Sequence, residues 1–295
     1  MARWIRFFAI LLIAVWGTVV WVLADGGTKI PPGLKREANE SAARGMGGER
    51  VEVRAADGVR LVGWGFPAKD DSSKGAVIVL HGIGSSRSDM LGFARIFAQD
   101  GYAVLTPDLR GHGESEGAMV TYGVLEKADV RQWAAWAKHK WAAKRVVAFG
   151  ESLGGSVALE ALGDLDGAIA ECAYAEFPQV AAERVALQLP LPPTLLRYVI
   201  VAPAIGWVRV SKGIDLSAAS AIESVKRNRK PVFLIHGLKD ELTPIEHSRR
   251  LRAVAPERVT LWEVPGAVHV GAYGQDEREF ERRVRGWMGA QFPAP

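Results

Sequence analysis

A serine between two glycines is the side chain of this sequence best suited to act as a nucleophile. Residues 150–154 have the sequence GESLG; they follow the apolar run 145–149, which predicts a buried strand, and precede residues 155–162, which predict a helix. A strand-to-helix turn this tight holds its central side chain exposed in a strained backbone conformation. Ser152 would also stand at a helix N-terminus, where free amides favour developing negative charge. The pattern therefore predicts a nucleophilic serine.

A carboxylate and a histidine follow this serine in the order that nucleophilic catalysis could use. Asp240 comes just after the strand pattern 230–236, and His269 comes just after the strand pattern 259–264. Reacting groups collect beyond the carboxyl ends of strands in an open parallel sheet, so these side chains can meet there. An imidazole can remove the serine proton, and a carboxylate on its far nitrogen fixes the tautomer and stabilises the imidazolium. The adjacent Glu241 remains an alternative acid.

The other five histidines are less suitable as the base. Three of them precede the serine: His81, His112 and His139. In proteins with a G-x-S-x-G turn of this kind, the acid and the histidine follow the serine. His236 ends a strand pattern, which favours a structural role. His247 opens the amphipathic helix pattern 246–254, which predicts a position on the solvated surface. The sequence therefore predicts His269 as the base.

A glycine-rich turn could stabilise the negative charge that develops on an attacked carbonyl. Residues 81–84 have the sequence HGIG and end the strand pattern 76–81. We expect the backbone N–H groups of Ile83 and Leu153 to form an oxyanion hole. Losing one such donor typically removes about 3–4 kcal/mol of transition-state stabilisation. The side chain of His81 is expected to be buried and structural, because the amide performs the chemistry.

These motifs together resemble the α/β-hydrolase superfamily, in its esterase/lipase and serine-aminopeptidase-like branch. The resemblance covers about residues 50–290 and is carried by five segments: 81–84 (HGIG), 106–115 (TPDLRGHGES), 150–155 (GESLGG), 236–240 (HGLKD) and 266–269 (GAVH). It implies that Ser152, Asp240 and His269 form a catalytic triad. Asp108, Arg110 and His112 would shape the fold beside the site.

Strand and helix patterns alternate along the chain. Strand patterns lie near residues 50–55, 59–66, 76–81, 102–106, 145–150, 168–174, 231–236 and 259–264. Helix patterns lie near residues 87–99, 122–142, 153–163, 246–254 and 276–290. This alternation predicts the α/β class, with a mostly parallel eight-stranded sheet and helices on both faces. The turn at 56–58 predicts an antiparallel pair at one edge.

One segment interrupts the alternation within the predicted domain, residues 49–290. At about residues 177–225 the resemblance implies a small cap inserted over the active site, and its apolar composition favours substrates with an apolar acyl or alcohol part. A helix is predicted from Phe177 to Leu191. The apolar stretch 194–207 is too short and too interrupted by proline to be expected as a second membrane span.

The N-terminal 24 residues predict a membrane anchor. Arg3 and Arg6 precede residues 7–24, an uncharged run of 18 residues. That length lies between a signal-peptide core of about 7–15 residues and a membrane span of about 17–25. We expect an uncleaved transmembrane anchor whose arginines keep the N-terminus in the cytoplasm, which places the catalytic domain outside the cytoplasm. The alternative is a signal sequence cleaved after residue 24, which would give a secreted or periplasmic protein.

Residues 25–48 predict a flexible linker. They contain glycine pairs at 26–27 and 47–48 and the sequence PPG at 31–33, which interrupt regular structure. Every catalytic motif lies beyond this linker. We therefore expect a chain starting near Glu49 to be soluble and active, unless the N-terminal segment packs against the apolar stretch 194–207.

Composition excludes several other classes of protein. The formal net charge is +4 over 295 residues and no nucleic-acid-binding motif is visible, so nucleic acid is not an expected partner. Cys172 is the sole cysteine, so no internal disulfide forms. The sequence contains no recognisable metal-ligand cluster or phosphate-binding glycine loop. Neither a metal ion nor a cofactor is therefore expected.

The residues and the resemblance together predict a serine hydrolase that cleaves carboxylic esters through an acyl-enzyme intermediate. The expected partners are a small-molecule or lipid-like ester and, through the N-terminal segment, a membrane. A serine peptidase, a thioesterase or an acyltransferase could use the same residues, because the fold does not choose the substrate. A non-catalytic binding protein is the alternative from another class, and the intact set of three residues argues against it. The serine at 152 argues against dehalogenase and epoxide-hydrolase chemistry, which uses an aspartate nucleophile.

Overall fold

Eight strands form one sheet in the computed structural model, which describes residues 2–29, 39–68 and 74–293. In chain order the strands are β1 (Glu49–Arg54), β2 (Arg60–Phe66), β3 (Ala76–Leu80), β4 (Ala103–Pro107), β5 (Val146–Glu151), β6 (Gly167–Glu171), β7 (Val232–Gly237) and β8 (Val259–Val264). Their spatial order is β1-β2-β4-β3-β5-β6-β7-β8. The β1–β2 and β2–β4 pairs are antiparallel and all other neighbours are parallel. The predicted α/β class is therefore confirmed, including its antiparallel edge.

Helices connect these strands and cover both faces of the sheet. Within the described ranges the α-helices are α1 (Ala2–Thr28), α2 (Glu40–Gly45), α3 (Leu91–Gln99), α4 (Glu126–Lys140), α5 (Leu153–Glu160), α6 (Phe177–Ala186), α7 (Pro193–Leu196), α8 (Ala202–Lys212), α9 (Ala221–Arg227), α10 (Glu246–Ala253), α11 (Ala272–Gln275) and α12 (Glu277–Gln291). The helix predicted from residue 122 begins only at Glu126. Tyr122 and Gly123 have φ angles of +57° and +115°, which a right-handed helix does not contain.

The central strands separate two hydrophobic cores. On β3, Ile78 and Leu80 belong to the core that also contains Trp133 of α4, whereas Val77 and Val79 belong to the core beneath α3 and α12. All four β3 side chains are fully buried. Successive side chains point to opposite faces of a strand, so a strand covered on both sides must be apolar throughout. This sandwiching explains why the inner strands appear in the sequence as unbroken apolar runs.

An insertion between β6 and β7 covers the carboxyl edge of the sheet. We call residues 177–212 the insertion; it contains α6, α7, a π-helical turn at Arg197–Val201 and α8. The predicted helix from Phe177 ends at Ala186 instead of Leu191. Residues Pro193–Lys212 form one helical stretch of 20 residues that is long and apolar enough, by length and composition alone, to cross a membrane.

The helical stretch is longer than residues 194–207 and continues past Pro203, so the length argument against a second membrane span fails. The expectation that this stretch is not a second membrane span stays a prediction. Pro203 lies in the first turn of α8, immediately after the π-helical turn. A proline is tolerated at this position because its missing N–H and its ring then disturb the helix least. Leu196, Val201 and Val208 of this stretch are buried in the domain core, so one face of the stretch belongs to the globular domain.

Helix α1 runs past the predicted end of the anchor. It continues through Gly26 and Gly27 to Thr28, into the segment where a linker was expected, and residues 30–38 of that linker lie outside the described residues. The stretch Arg6–Thr28 has 23 residues and is apolar enough to cross a membrane. Such a helix rises about 35 Å, which exceeds a hydrocarbon thickness of about 30 Å.

The C-terminal half of α1 packs against the globular domain. Trp16 Nε1–H donates to the carbonyl of Val199 at 2.7 Å, and Lys212 Nζ donates to Thr28 Oγ1 at 2.6 Å. The N–H of Val120 donates to the carbonyl of Thr28 at 3.0 Å. Helix α1 is therefore part of the folded domain at this end.

Candidate active site

The turn between β5 and α5 holds Ser152 in a strained conformation. Its φ and ψ angles are +52° and −114°, and its N–H donates to the carbonyl of Glu171 at 2.8 Å. A Cβ atom at Gly154 would lie 2.4 Å from the carbonyl oxygen of Leu80, and one at Gly150 would lie 2.3 Å from the backbone of Gly154. Only glycine permits these approaches, so the two glycines allow the helix to start directly against the sheet.

Backbone strain is concentrated around this turn. Among the described residues, five non-glycine residues have positive φ angles, and four of these lie at the serine, at the predicted base or along the cavity described below: Tyr122, Ser152, Cys172 and Val270. Such conformations persist only where the surrounding structure enforces them, and they are typical of functional sites.

The three side chains predicted to react form one hydrogen-bonded chain. His269 Nε2 lies 2.8 Å from Ser152 Oγ, and His269 Nδ1 lies 2.7 Å from Asp240 Oδ2. An ionised carboxylate can only accept, so Nδ1 carries a proton and donates it to Asp240. Nε2 is then free to accept the serine hydroxyl proton. Glu241 is exposed, so it is Asp240 that the fold brings to the histidine.

Asp240 is a buried carboxylate surrounded by donors. Its Oδ1 accepts the N–H groups of Leu242 at 3.0 Å and Thr243 at 2.9 Å. Burial by itself would raise the pKa of Asp240, but the hydrogen bonds from His236 and His269 hold that pKa well below its usual range. The carboxylate is therefore ionised near neutral pH and can stabilise a positive charge on His269.

Both predicted oxyanion donors lie beside the serine. A Cβ atom at Gly82 would lie 3.5 Å from Ser152 Cβ, which places the turn after β3 directly against the nucleophile candidate. Ile83 and Leu153 line the same cavity as Ser152. Leu153 is the first residue of α5, and the N–H groups of a first helical turn have no acceptor within the helix. Helix geometry thus leaves the Leu153 amide available to an oxyanion.

Two of the other histidines have the structural surroundings expected of them. His81 is fully buried; its Nε2 accepts the N–H of Leu109 at 3.0 Å and its Nδ1–H donates to Gly82 at 2.7 Å. Burial, with the neighbouring His112, lowers the pKa of His81 to about 3, so its ring is neutral. His236 is also buried, with Nε2 at 2.7 Å from the carbonyl of Thr243.

The prediction that His247 lies on the solvated surface is wrong. Its ring is fully buried, with Nδ1 accepting the N–H of Ala175 at 3.1 Å and Nε2 at 2.7 Å from Glu183 Oε2. Glu183 belongs to the insertion, which covers a helix face that a simple alternating sheet would leave exposed. The local helix pattern contains no signal of that cover.

The segment that follows β4 forms buried ion pairs. Asp108 accepts the N–H groups of Arg87 and Glu114, each at 2.9 Å, and pairs with the Arg87 guanidinium. Arg110 makes two hydrogen bonds to Asp129, at 2.6 and 2.7 Å. These contacts give Asp108 and Arg110 the structural role expected of them, since they fix the loop that follows β4.

A largely apolar cavity of about 190 Å³ lies over Ser152. Its walls include the turns at Ile83 and Ser152, much of the insertion, and the end of α1, where Leu23, Ala24, Gly27 and Thr28 line it. Tyr122 and Arg184 add polar groups to the lining. The contribution of α1 to the cavity was not predicted. A membrane anchor and a cavity wall are both apolar, so composition alone does not distinguish them.

One cluster near the serine has the residue types of metal ligands. The potential ligand atoms of Cys172, Asp240 and His269 lie within 4.8 Å of one another. Asp240 and the facing nitrogen of His269 are already hydrogen-bonded to each other, however. Burial, with Glu171 and Asp240 nearby, raises the pKa of the Cys172 thiol far above its usual range. A neutral thiol is a poor metal ligand, so the cluster fits a proton-transfer site better than a metal site.

The fold and the serine turn define an α/β hydrolase, and comparisons with known proteins agree. A family model described as serine aminopeptidase, S33, matches residues 71–175. Esterase Pf2001 of Pyrococcus furiosus superposes with a TM-score of 0.71 at 26% identity, covering 90% of this chain and 98% of the esterase. The protein is thus a hydrolase on the α/β-hydrolase fold.

Sequence relatives extend over most of the catalytic domain. The Mycobacterium tuberculosis protein Rv2307c is 31% identical over 75% of this chain and 72% of its own length. YqkD of Bacillus subtilis is 25% identical over 76% of this chain and 74% of its own length. The chain therefore belongs to the α/β-hydrolase superfamily, in the same family as the mycobacterial protein.

Glu171 is a buried acid behind the site that sequence reasoning missed. It is fully buried, and its Oε1 accepts the N–H of Ala272 at 2.9 Å. Its Oε2 has no hydrogen-bond partner among the described residues. Burial raises the pKa of Glu171 to about 7, so the folded protein holds this proton more tightly than the unfolded chain does. Stability gained by that proton is present at acidic pH and is lost as the pH rises through about 7.

Replacing Glu171 by Gln should flatten this pH dependence. We expect Glu171→Gln to leave the free energy of unfolding near that of wild type at pH 5 and to raise it by on the order of 1–3 kcal/mol at pH 8, where wild type buries a charge. Urea unfolding at both pH values measures the difference, with the exposed Glu241→Gln as control. Equal pH slopes for Glu171→Gln and wild type would contradict the assignment.

Proposed function

We propose that this protein is a serine hydrolase that cleaves carboxylic esters through an acyl-enzyme intermediate. The observation that carries the proposal is the hydrogen-bonded chain from Ser152 through His269 to Asp240, placed at an apolar cavity. The structural similarity to the esterase Pf2001 supports an ester as the substrate.

The proposed reaction has two halves, formation of the acyl-enzyme and its hydrolysis, and the same residues act in both. Ser152 Oγ attacks the carbonyl carbon while His269 Nε2 takes the hydroxyl proton, and Asp240 stabilises the imidazolium. The amides of Ile83 and Leu153 hold the oxyanion of the tetrahedral intermediate. When the ester C–O bond breaks, His269 returns the proton to the leaving alcohol. Water then attacks the acyl-enzyme with His269 again as base, which releases the acid and restores the serine.

The lining of the cavity favours an ester with an apolar part. A serine aminopeptidase is the second candidate, because the matching family model has that description. Such an enzyme needs an acidic group for the substrate's free amine, yet among the described residues that line the cavity none is acidic and Arg184 is cationic. An uncharged acyl or alcohol group fits this lining better, so we favour an ester over a peptide, with a thioester or acyl transfer as variants of the same chemistry.

We further propose that α1 is retained as a membrane anchor, with the catalytic domain outside the cytoplasm. Its length and composition suit a membrane span. Retention is supported by the cavity lining, since cleavage after Ala24 would separate Leu23 and Ala24 from Gly27 and Thr28 in one wall. The same packing revises the expectation for a chain starting near Glu49. Without α1 the apolar face of α8 would be exposed, so we now expect that shorter chain to aggregate.

Ser152→Ala and His269→Ala should each lower ester hydrolysis by several orders of magnitude, because the triad acts as one unit. The assay uses p-nitrophenyl esters of graded chain length, and thermal unfolding verifies that the variants fold. A fluorophosphonate should label wild type at Ser152 alone. Ser211→Ala, at an exposed serine on α8, is the matched control. Labelling that persists in Ser152→Ala would refute the proposed nucleophile.

Asp240→Asn should reduce kcat by about 10⁴-fold, because an asparagine holds the wrong tautomer of the imidazole. Glu241→Gln should leave kcat close to wild type, since Glu241 is exposed and makes no contact with His269. Steady-state kinetics with one p-nitrophenyl ester compares the two variants. A severe loss in Glu241→Gln with little loss in Asp240→Asn would reverse the assignment of the acid.

The full-length protein should remain in the membrane fraction at high salt and be released by detergent, because α1 is held by hydrocarbon instead of by charge. Mass spectrometry of the detergent-extracted protein should find residues 1–24 still attached. A mature N-terminus at Asp25, with activity in the soluble exported fraction, would instead establish the cleaved signal sequence.

A further inference from the structure

An apolar groove adjoins the catalytic cavity along α1. It lies between α1 and the end of α6, and its lining includes Thr18 and Val22 of α1 and Leu189 just after α6. Leu23, Arg184 and Val185 line the catalytic cavity as well. The two spaces therefore lie on either side of these three side chains, and the groove leads away from Ser152 toward the middle of α1.

The size of the cavity indicates that a long acyl chain would need this groove. The cavity holds about 190 Å³. Pockets for drug-sized ligands hold about 300–1,000 Å³. The groove adds about 470 Å³, which brings the combined space into that range. Arg184 at the junction does not oppose an apolar chain, because its Nε–H donates to the carbonyl of Leu242 and its aliphatic stem can face the path.

The surface that α1 and the insertion form around the groove is rich in exposed apolar side chains. Val22 on α1 is 51% exposed, and Tyr198 and Val210 of the insertion are 73% and 86% exposed. Further exposed apolar side chains of the insertion are Leu187, Leu189, Leu191, Leu195, Val199 and Trp207. An apolar surface of this extent marks an interaction site, and Tyr and Trp within it are typical of the membrane interface. Because α1 packs on α8, the insertion would lie at the same depth in the membrane as the C-terminal half of α1.

We propose that the substrate is a membrane-resident acyl ester whose chain reaches Ser152 from the bilayer, through the groove between α1 and α6. This inference rests on the proposed ester hydrolysis and on α1 being a membrane anchor. The chemical steps are unchanged: the acyl carbon is transferred to Ser152 Oγ, the alcohol leaves with the proton of His269, and water releases the acid. The groove adds only a route, by which an insoluble acyl chain reaches the cavity without passing through water.

The test fills the groove without touching the catalytic cavity. Val22 lines the groove and not the cavity, so Val22→Trp adds bulk to the path alone. Ile13→Trp is the control: nine residues along an α-helix is a half-turn rotation, and Ile13 is 65% exposed. Both variants keep α1 apolar. Full-length proteins are reconstituted in phosphatidylcholine vesicles and given p-nitrophenyl palmitate within the bilayer or p-nitrophenyl acetate in the water.

We expect Val22→Trp to slow palmitate hydrolysis by about tenfold or more, while acetate hydrolysis stays within about twofold of wild type. Ile13→Trp should leave both rates unchanged. The route is refuted if Val22→Trp leaves palmitate hydrolysis at the wild-type rate, or if it lowers both rates equally. Failure of wild type on both esters would contradict the proposed ester hydrolysis instead, so the two failures are distinguishable.

Discussion

The backbone turn at Ser152 is the constraint on which the rest of the site depends. Its positive φ is enforced from two sides, by the hydrogen bond from its N–H to Glu171 and by the contact of Gly154 with the carbonyls that end β3. A side chain at 154 would push α5 away from the sheet. Because α5 is held so close, the first helical amides and the turn at Gly82 both lie beside the serine hydroxyl. The strained turn thus places the serine hydroxyl next to backbone N–H groups that a relaxed turn would hold farther away.

Two buried acids near His269, Asp240 and Glu171, differ in their protonation. Asp240 is buried, yet the donors around it keep it ionised, and it orients His269 through one ring nitrogen. Behind it, Glu171 is buried with a raised pKa and one unpartnered oxygen. Two neighbouring acids therefore have opposite protonation behaviour, because only one is surrounded by hydrogen-bond donors. Below about pH 7 this contrast leaves Asp240 as the charged member of the pair.

The cavity joins the catalytic domain to the N-terminal helix. Leu23 and Thr28 of α1 share a lining with Ser152, although more than 120 positions separate them in the chain. The insertion bridges the two, since its α8 packs on α1 and its α6 faces the serine. Because α1 forms part of the cavity wall, a displacement of α1 would change the shape of the cavity, which a free linker could not do.

The sequence by itself determined the sheet class, the antiparallel edge and the approximate place of each strand, because these follow from local apolar periodicity and turn residues. It also singled out Ser152, Asp240 and His269, since their types and their positions after strands are local signals. Only the tertiary structure decided that His247 is buried, that α1 continues past residue 24 and that it lines the cavity. These features depend on which surfaces the insertion covers. The apolar pattern of a segment does not specify which distant segment packs against it.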